Sequence, residues 1–272
     1  MSIVVATAQD WLEFNRLAGE QGWDVPQNEL TFYPTSLNSF SYALKSANRV
    51  QGFVTAVCHG KTAWIGNLII DPVFRGQGLG GYLFDYVLQQ LWKSGVHCVW
   101  LTASNQGRPL YERRGFELVD EMVRLRVDGS GSENGNGRLA SAQRDTLYAA
   151  DSDAWGDTRS AMLSHLAGNA ALIETEDQTA LIQFDPFGGI IGPWFNRGNV
   201  PCTDMSVIEQ ARTLFTADTT VVTDLLASKA DIQSLTRVGT VTQGENVLMA
   251  VGDRSCCPLN SLVALASLGS MG

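Results

Sequence analysis

The stretch that most restricts what this chain can fold into is Asp71-Pro72-Val73-Phe74-Arg75-Gly76-Gln77-Gly78-Leu79-Gly80-Gly81, set between an apolar run and an amphipathic one. Before it, residues 64–70 (WIGNLII) read as a largely buried strand. After it, Leu83, Phe84, Val87, Leu88, Leu91 and Trp92 recur at helical spacing and stop at Gly95, a natural helix end. A strand that turns through glycines into a helix offers an anion site. The first N–H groups of such a helix lack intrahelical partners, and the helix dipole adds positive potential there. Glycine is needed because a side chain would hold the anion's oxygens away from those donors.

Three phosphate patterns compete for these residues. Gly76-Gln77-Gly78-Leu79-Gly80-Gly81 formally satisfies G-x-G-x-x-G, the dinucleotide fingerprint. That reading needs an acidic residue about 20 positions further on for the ribose, and Val96 to Thr102 offers none. The motif also lies deep in a strand-rich region rather than at its first strand-to-helix turn. A P-loop fails because Gly81 is followed by Tyr82-Leu83 instead of Lys and Ser or Thr. The third pattern, Arg/Gln-x-x-Gly-x-Gly/Ala, is met by Arg75-Gly76-Gln77-Gly78-Leu79-Gly80. In that form the loop resembles the pyrophosphate loop of the GNAT N-acetyltransferases, which hold acetyl-coenzyme A. The flanks carry the resemblance further. The family's apolar strand ending in an Asp-Pro step is matched by Leu68-Ile69-Ile70-Asp71-Pro72. Its second strand, Asn and Leu-Tyr-x-x-x-Gly-Phe signature are matched by Cys98 to Leu101, Asn105, and Leu110-Tyr111 through Gly115-Phe116.

At 272 residues the chain is long enough for two domains. Asp128 to Gly137 is polar, glycine-rich and without periodicity, which reads as a flexible linker. The expected division is an N-terminal GNAT domain at 1–127, a linker at 128–138 and a second domain at 139–272. In the first part strands are expected at 3–6, 40–44, 52–58, 63–70, 98–103 and 116–126, with helices at 9–22, 27–32, 79–94 and 107–114. The resulting β-α-α-β-β-β-α-β-α-β order is that of the GNAT fold, so the expected class is α/β (α+β), a mixed central sheet with flanking helices. After the linker, a short segment at 139–148 precedes helix 159–166, strands near 170–175, 179–184 and 189–195, and helix 204–215. Strand 220–224, helix 228–235 and strands between 239 and 251 complete it. This part resembles a second, smaller and degenerate GNAT-like domain of the tandem-GNAT type. Trp155-Gly156-Asp157-Thr158-Arg159-Ser160, Gly192-Pro193-Trp194-Phe195 and the closing 262–269 carry that resemblance, and Gly22-Trp23 and Phe32 fit the same type. At the place of the glycine loop the second part has Asn196-Arg197-Gly198-Asn199-Val200-Pro201. It is therefore expected to bind no coenzyme A, and to shape the acceptor pocket or an oligomer interface instead.

Composition narrows the partners. With 44% hydrophobic and 17% charged residues this is a core-forming chain. No apolar run reaches the roughly 18 residues of a membrane span, and the Met1-Ser2-Ile3-Val4 start lacks the basic and apolar regions of a signal peptide. The five cysteines (58, 98, 202, 256 and 257) follow no metal or disulfide spacing. A cytoplasmic protein without membrane or metal is expected. Residues 1–126 hold 11 Lys/Arg and 11 Asp/Glu, and residues 127–272 hold 8 and 17, so the whole charge of −9 lies in the second part. No basic stripe exists to neutralise nucleic-acid phosphates. An acidic half could draw in a cationic acceptor, or simply serve solubility.

The resemblance assigns roles residue by residue. The backbone of Gly76, Gln77, Gly78, Leu79, Gly80 and Gly81 would bind the pyrophosphate of acetyl-coenzyme A. Arg75 either pairs with phosphate or is a solvated loop arginine. The Ile70 N–H would meet the pantetheine arm. The Leu68 N–H would face the thioester oxygen and stabilise charge in the tetrahedral intermediate. Asn105 holds the family's position beside the pantetheine, or caps the next helix. Tyr111 is the candidate general acid for the leaving thiolate, since a phenol stays protonated at neutral pH; the alternative is a packed core tyrosine. Gly115 and Phe116 are structural.

The general base stays open. The strand segment Ala63 to Asn67 has no carboxylate. Asp71, next to Pro72, fits a turn device, and His59 and His97 are lone histidines flanking strands. A water relay or Asp157 remains, although Asp157 also suits a helix N-cap. Trp64 suits either an aromatic acceptor wall or core packing. Cys58 and Cys98 lie on strands, where burial would keep them from acting as nucleophiles. The reading is direct acetyl transfer from acetyl-coenzyme A to a primary amine of a small molecule or peptide. Its rivals are a non-catalytic acyl-coenzyme A sensor and a nucleotide-dependent oxidoreductase. The acceptor and the oligomeric state, a homo-oligomer included, are not written in the motifs.

Overall fold

The structure, a computed structural model, describes residues 1–47, 49–198 and 201–272. The first half runs β1 (Ser2–Val5), α1 (Ala8–Glu20), α2 (Gln27–Thr35), β2 (Ser39–Ser46), β3 (Arg49–His59), β4 (Thr62–Ile70), α3 (Leu79–Lys93), β5 (Cys98–Ser104), α4 (Arg108–Glu112) and β6 (Glu117–Asp128). This is the order that the apolar periodicities predict. The second half adds α5 (Ser141–Trp155), α6 (Ser160–Leu166), β7 (Ala170–Glu174), β8 (Gln178–Asp185), β9 (Gly188–Asn196), α7 (Ser206–Arg212), β10 (Thr220–Leu226), α8 (Ile232–Val238), β11 (Thr240–Gly252) and β12 (Leu262–Ala264). Three expectations shift there. Residues 139–148 belong mostly to α5, which buries Leu147, Ala150, Ala154 and Trp155. The strands expected between 239 and 251 are one strand, β11, irregular between Gln243 and Val247. The helix expected at 228–235 begins later, where Asp231 accepts the Gln233 N–H as its N-cap.

The twelve strands of the described residues join one sheet, in the order β1-β2-β3-β4-β5-β11-β6-β10-β12-β9-β8-β7. The halves trade their last strands. β11, from the second half, pairs antiparallel with β5 over Asn246–Gly252. β6, from the first half, pairs antiparallel with β10 from Met122 to Asp128. β6 and β11 then pair with each other at the centre. Neither half closes its own sheet. One face of the sheet carries a core continuous across both halves, with Phe14, Phe32 and Phe53 from the first and Trp155, Leu163 and Leu181 from the second. The other face carries separate cores, one around Leu83, Phe84 and Val87 of α3 and one around Val207, Ile208 and Ala211 of α7.

The stretch expected to be a flexible linker is pinned. The N–H groups of Gly129, Ser130, Gly131 and Gly135 donate to the carbonyls of Thr219, Arg212, Phe215 and Leu214, at 2.7–2.9 Å. A Cβ on Gly129 or Gly131 would lie 2.3 Å from a carbonyl oxygen of Thr216 or Thr213. These glycines serve close approach of backbone to backbone rather than freedom of motion. The same composition signals both.

The Trp155-to-Arg159 run joins the halves. Asp157 Oδ2 accepts from the N–H (2.7 Å) and hydroxyl (2.8 Å) of Thr62 at the start of β4, and Trp155 Nε1 donates to the Thr62 hydroxyl (3.2 Å). Asp157 is therefore neither the N-cap of α6, a place held by Arg159, nor a base in a cavity. Arg159 pairs with Asp151, both fully buried, with its guanidinium 4.3 Å from the Trp155 ring centre. Among the described residues no helix is long and apolar enough to cross a membrane.

Candidate active site

β4 pairs with the parallel strand β5 only from Thr62 to Trp64, and the strands then part. Past that point β4 carries an extra residue against β3, with Gly66 opposite Thr55 and Ile69 opposite Phe53. Asn67 sits in the left-handed region at φ +55°, and Asn67 and Leu68 drop out of both ladders. A bulge of this kind re-aims side chains and frees backbone groups at the place where it occurs. A cavity of about 870 Å³ opens there, within the range of small-molecule and cofactor sites.

The structure brings nearly all the predicted residues to that cavity. Leu68, Ile70, Arg75, Gly76, Gly78, Leu79, Gly80, Gly81, Asn105 and Tyr111 line it, and Gln77 does not. Gly76 and Gly78 both adopt φ +77°, and a Cβ on either would meet nothing within 4 Å. Their glycine identity thus answers to backbone conformation, and the space above them is open. The first intrahelical bond of α3 runs from the Tyr82 N–H to the Gly78 carbonyl (3.0 Å). The N–H groups before it, from Gly76 through Gly81, close no backbone hydrogen bond among the described residues, as expected at a helix N-terminus. Such a helix N-terminus, with its donors unspent, has the geometry of an anion site.

Arg75 folds back. Its Nε donates to the Ile70 carbonyl (3.0 Å) and its Nη2 to Gln21 Oε1 (2.8 Å), with the side chain still exposed. Asp71 is the turn device its sequence suggests: it accepts the Val73 N–H (3.0 Å) and pairs with Arg49 (3.2 Å). Asn105 caps no helix. Its Nδ2 donates to the Gly244 carbonyl of β11 (2.7 Å), which leaves its carbonyl oxygen for another donor.

Tyr111 is 8% exposed and packs against Phe84 (ring centres 5.0 Å apart). Burial pushes its phenol up to about 12. Among the described residues nothing hydrogen-bonds its hydroxyl. It is a packed tyrosine and a cavity-facing one at once.

Trp64 is not an acceptor wall. It is fully buried, lies 6.2 Å from Trp155 and donates from Nε1 to the Gly269 carbonyl (3.1 Å). The exposed aromatic of the cavity is Trp23, 41% exposed in the turn after α1. His59 is buried and satisfied by the Met271 carbonyl (3.2 Å), with desolvation and the nearby Arg159 charge pulling it down to about 3. Burial raises the thiols of Cys58 and Cys98 to about 11 and about 12, so neither is a ready nucleophile.

The chain's last segment enters this cavity. The Gly269 carbonyl also accepts from Thr102 Oγ1 on β5 (2.9 Å), so it bridges β4 and β5 where they part. The Ser270 carbonyl accepts from Tyr33 (2.6 Å) and lies 2.5 Å from where a Cβ on Gly66 would be. Arg124 of β6, held by Asp224 through paired 2.7 Å bonds, and Glu245 of β11 complete the wall.

The sequence reading missed Glu29. It sits in the first turn of α2, 2% exposed, on the cavity wall, and burial raises its carboxyl to about 7. A signal existed: Phe32 and Tyr33 lie three and four residues beyond it, which places a carboxylate on the apolar face of a helix.

The second half treats its corresponding cleft differently. β9 and β10 pair in parallel only at Gly189–Ile190 with Val221–Val222, and β9 has its own extra residue near Gly192-Pro193. There β12 fills the gap, pairing Leu225 with Ala264 and Phe195 with Leu262. After β9 come Arg197 and Gly198; Asn199 and Val200 lie outside the described residues.

Residues 38–118 match the family model described as an acetyltransferase (GNAT) domain. A ribosomal protein bS18-alanine N-acetyltransferase of Haemophilus influenzae is 36% identical over 75 residues, which is 27% of this chain and 51% of the relative. The chain thus spans about half the length of that relative. A putative acetyltransferase from Pyrococcus horikoshii superposes with TM-score 0.77 at 18% identity, covering 100% of this chain and 95% of that one. A tandem GNAT protein from the clavulanic acid biosynthesis pathway gives 0.58 at 12% identity, covering 92% and 98%. At these identities the structural likeness carries the fold.

Proposed function

Because this chain carries a GNAT acetyltransferase domain in its first half, we propose that it transfers the acetyl group of acetyl-coenzyme A directly to a primary amine of a small molecule or peptide. The observation that carries this reading is the parted β4–β5 cleft, with unpartnered glycine-loop donors at one end and the Tyr111 hydroxyl facing in. The thioester supplies an activated acetyl group, and the chain's residues position and neutralise around it. The backbone of Gly76 to Gly81 holds the pyrophosphate. Asn105 offers its free carbonyl oxygen to the pantetheine. The Leu68 N–H, outside both ladders, donates to the carbonyl oxygen that gains charge as the amine attacks. Tyr111, protonated at neutral pH, gives its proton to the departing sulfur. On the wall Glu245, which makes no ion pair among the described residues, favours an acceptor that arrives as a cation, whereas Asp24 is already held by Arg126 at 2.6 Å. The name of the Haemophilus relative keeps a peptide amine among the acceptors.

Calorimetric titration with acetyl-coenzyme A tests the reading, comparing the natural chain with a Gly78→Asp, Gly80→Asp variant. Asp tolerates a left-handed backbone, so the change places negative charge at the donors with little strain. Micromolar binding that weakens on the order of 10³-fold, about 4 kcal/mol, supports it. A folded chain that binds no acetyl-coenzyme A removes it. Binding with no transfer to any amine leaves an acyl-coenzyme A sensor.

A further inference from the structure

We propose that Glu29 is the base that takes the proton from the acceptor's ammonium group, and that Asn67 and Ser270 position that amine beside it. The proposal rests on the acetyl-transfer reading and supplies the base that the sequence leaves open.

Several polar groups at the cavity are buried and unspent. Glu29 reaches it from the first turn of α2, and has no ion-pair partner within bonding distance among the described residues. Asn67 Nδ2 and Ser270 Oγ face its carboxylate and favour its charged form, yet both atoms are buried and stop short of hydrogen-bond distance from any partner. Leaving a buried polar atom unpaired costs about 1–3 kcal/mol, and native chains rarely tolerate several together. Here a carboxylate, an amide and a hydroxyl share one place. An ammonium group has donors for the carboxylate and the hydroxyl oxygen, and the neutral amine it becomes can accept from the amide.

The three residues come from distant parts of the chain and are each held in place. Asn67 is the left-handed residue of the β4 bulge, directly before Leu68. Ser270 is fixed by Tyr33, whose hydroxyl donates to its carbonyl at 2.6 Å. Glu29 shares its helix with Tyr33, and His165 of α6 secures that helix through the Asn28 carbonyl (3.0 Å) and the Thr31 hydroxyl (3.1 Å). The groups facing Glu29 are Asp185 of β8, which opposes its ionisation, Arg124 of β6, which favours it, and Tyr33. Desolvation outweighs them and holds the carboxyl at about 7, suited to a base at neutral pH. The same desolvation lowers the pKa of an ammonium group brought beside it.

The protons balance. The ammonium gives one proton to the Glu29 carboxylate, and the freed lone pair forms the N–C bond to the acetyl carbon. The C–S bond breaks, and its electron pair leaves with sulfur. Sulfur takes the Tyr111 proton, and Tyr111 recovers one as the new amide sheds its second proton. Glu29 releases the first to solvent, so one proton is produced per amide.

The test measures thiol release from acetyl-coenzyme A with hexylamine, putrescine, lysine amide and an alanine-initiated peptide, alongside calorimetric Kd for acetyl-coenzyme A. Glu29→Gln is expected to keep that Kd within about twofold and to lower kcat on the order of 10²–10³-fold. The rise of kcat with pH near 7 should vanish in Glu29→Gln and persist, at reduced rate, in Glu29→Asp. Asn67→Ala and Ser270→Ala should raise KM for the amine about 5- to 10-fold with a smaller change in kcat. A Glu29→Gln chain with natural kcat or an intact rise near pH 7 overturns the proposal and leaves the acetyl-transfer reading standing. A natural chain that binds acetyl-coenzyme A and acetylates none of the four amines overturns both.

Discussion

In the first half β4 leaves β5 after Trp64 and the gap stays open as a cavity; in the second half β9 leaves β10 after Ile190 and β12 takes the gap. Both clefts arise from the same device, a parallel pair that parts beside a strand with one extra residue. The tail of the chain passes over both, with the Leu265 carbonyl 2.0 Å from a Cβ placed on Gly192 and the Ser270 carbonyl 2.5 Å from one on Gly66. The two clefts differ in the chain just beyond the bulged strand. The first leads to glycines at φ +77° and a helix with free donors, and the second leads to no such loop among the described residues. Keeping the scaffold without the loop keeps the shape and loses the unspent backbone donors, so the two clefts share a fold without sharing its chemistry.

Three substitutions put this contrast at risk. Tyr111→Phe should have the largest effect, lowering kcat on the order of 10²-fold while leaving the Kd for acetyl-coenzyme A in place. A steady-state assay with any accepted amine checks it, and an unchanged kcat would reduce Tyr111 to packing. Leu262→Ala should come next. Leu262 is fully buried in the filled cleft, so its truncation costs about 3 kcal/mol of stability in a denaturant melt. It should leave the binding stoichiometry at one acetyl-coenzyme A per chain. A second binding event in that variant would mean the second cleft is a masked site, and the contrast would fail. Arg75→Ala should do least, weakening acetyl-coenzyme A binding by about 1 kcal/mol, as suits a solvent-exposed charge. A change smaller than twofold would place Arg75 with the solvated loop arginines.

Much of the molecule is legible in its residues. Helical spacing locates the helices of the first half, and near-continuous apolar runs locate β3, β4 and β5, because both faces of the sheet are covered there. The loop is legible because its glycines have a backbone reason at Gly76 and Gly78. Other features are not, for physical causes. Composition cannot tell a glycine that moves from one that lets two backbones touch, so residues 128–137 read as free when they are held. Asp157 resembles a cap in sequence because its partner, Thr62, lies far away along the chain. Trp64 carries no sign of whether it faces solvent or Trp155. Glu29 is hidden because its meaning depends on Ser270 and Asn67, which only the folded chain brings near it. The exchange of β6 and β11 leaves no mark at all, since a strand's pattern records which face is buried and not which neighbour it has.

That exchange also has a consequence for how the protein is made. β5 has no partner on its inner edge until β11 has been synthesised, and the cavity lacks a wall until Gly269 and Ser270 emerge. At about 5–20 residues per second, the ribosome takes on the order of ten seconds to travel from the end of β6 to the end of β11. Throughout that interval the nascent first half presents an open strand edge, the kind of surface that recruits other chains. The first half of the sheet is therefore completed only after the second, and a chain cut short within the second half would lack β11 and the part of the cavity wall that Gly269 and Ser270 form.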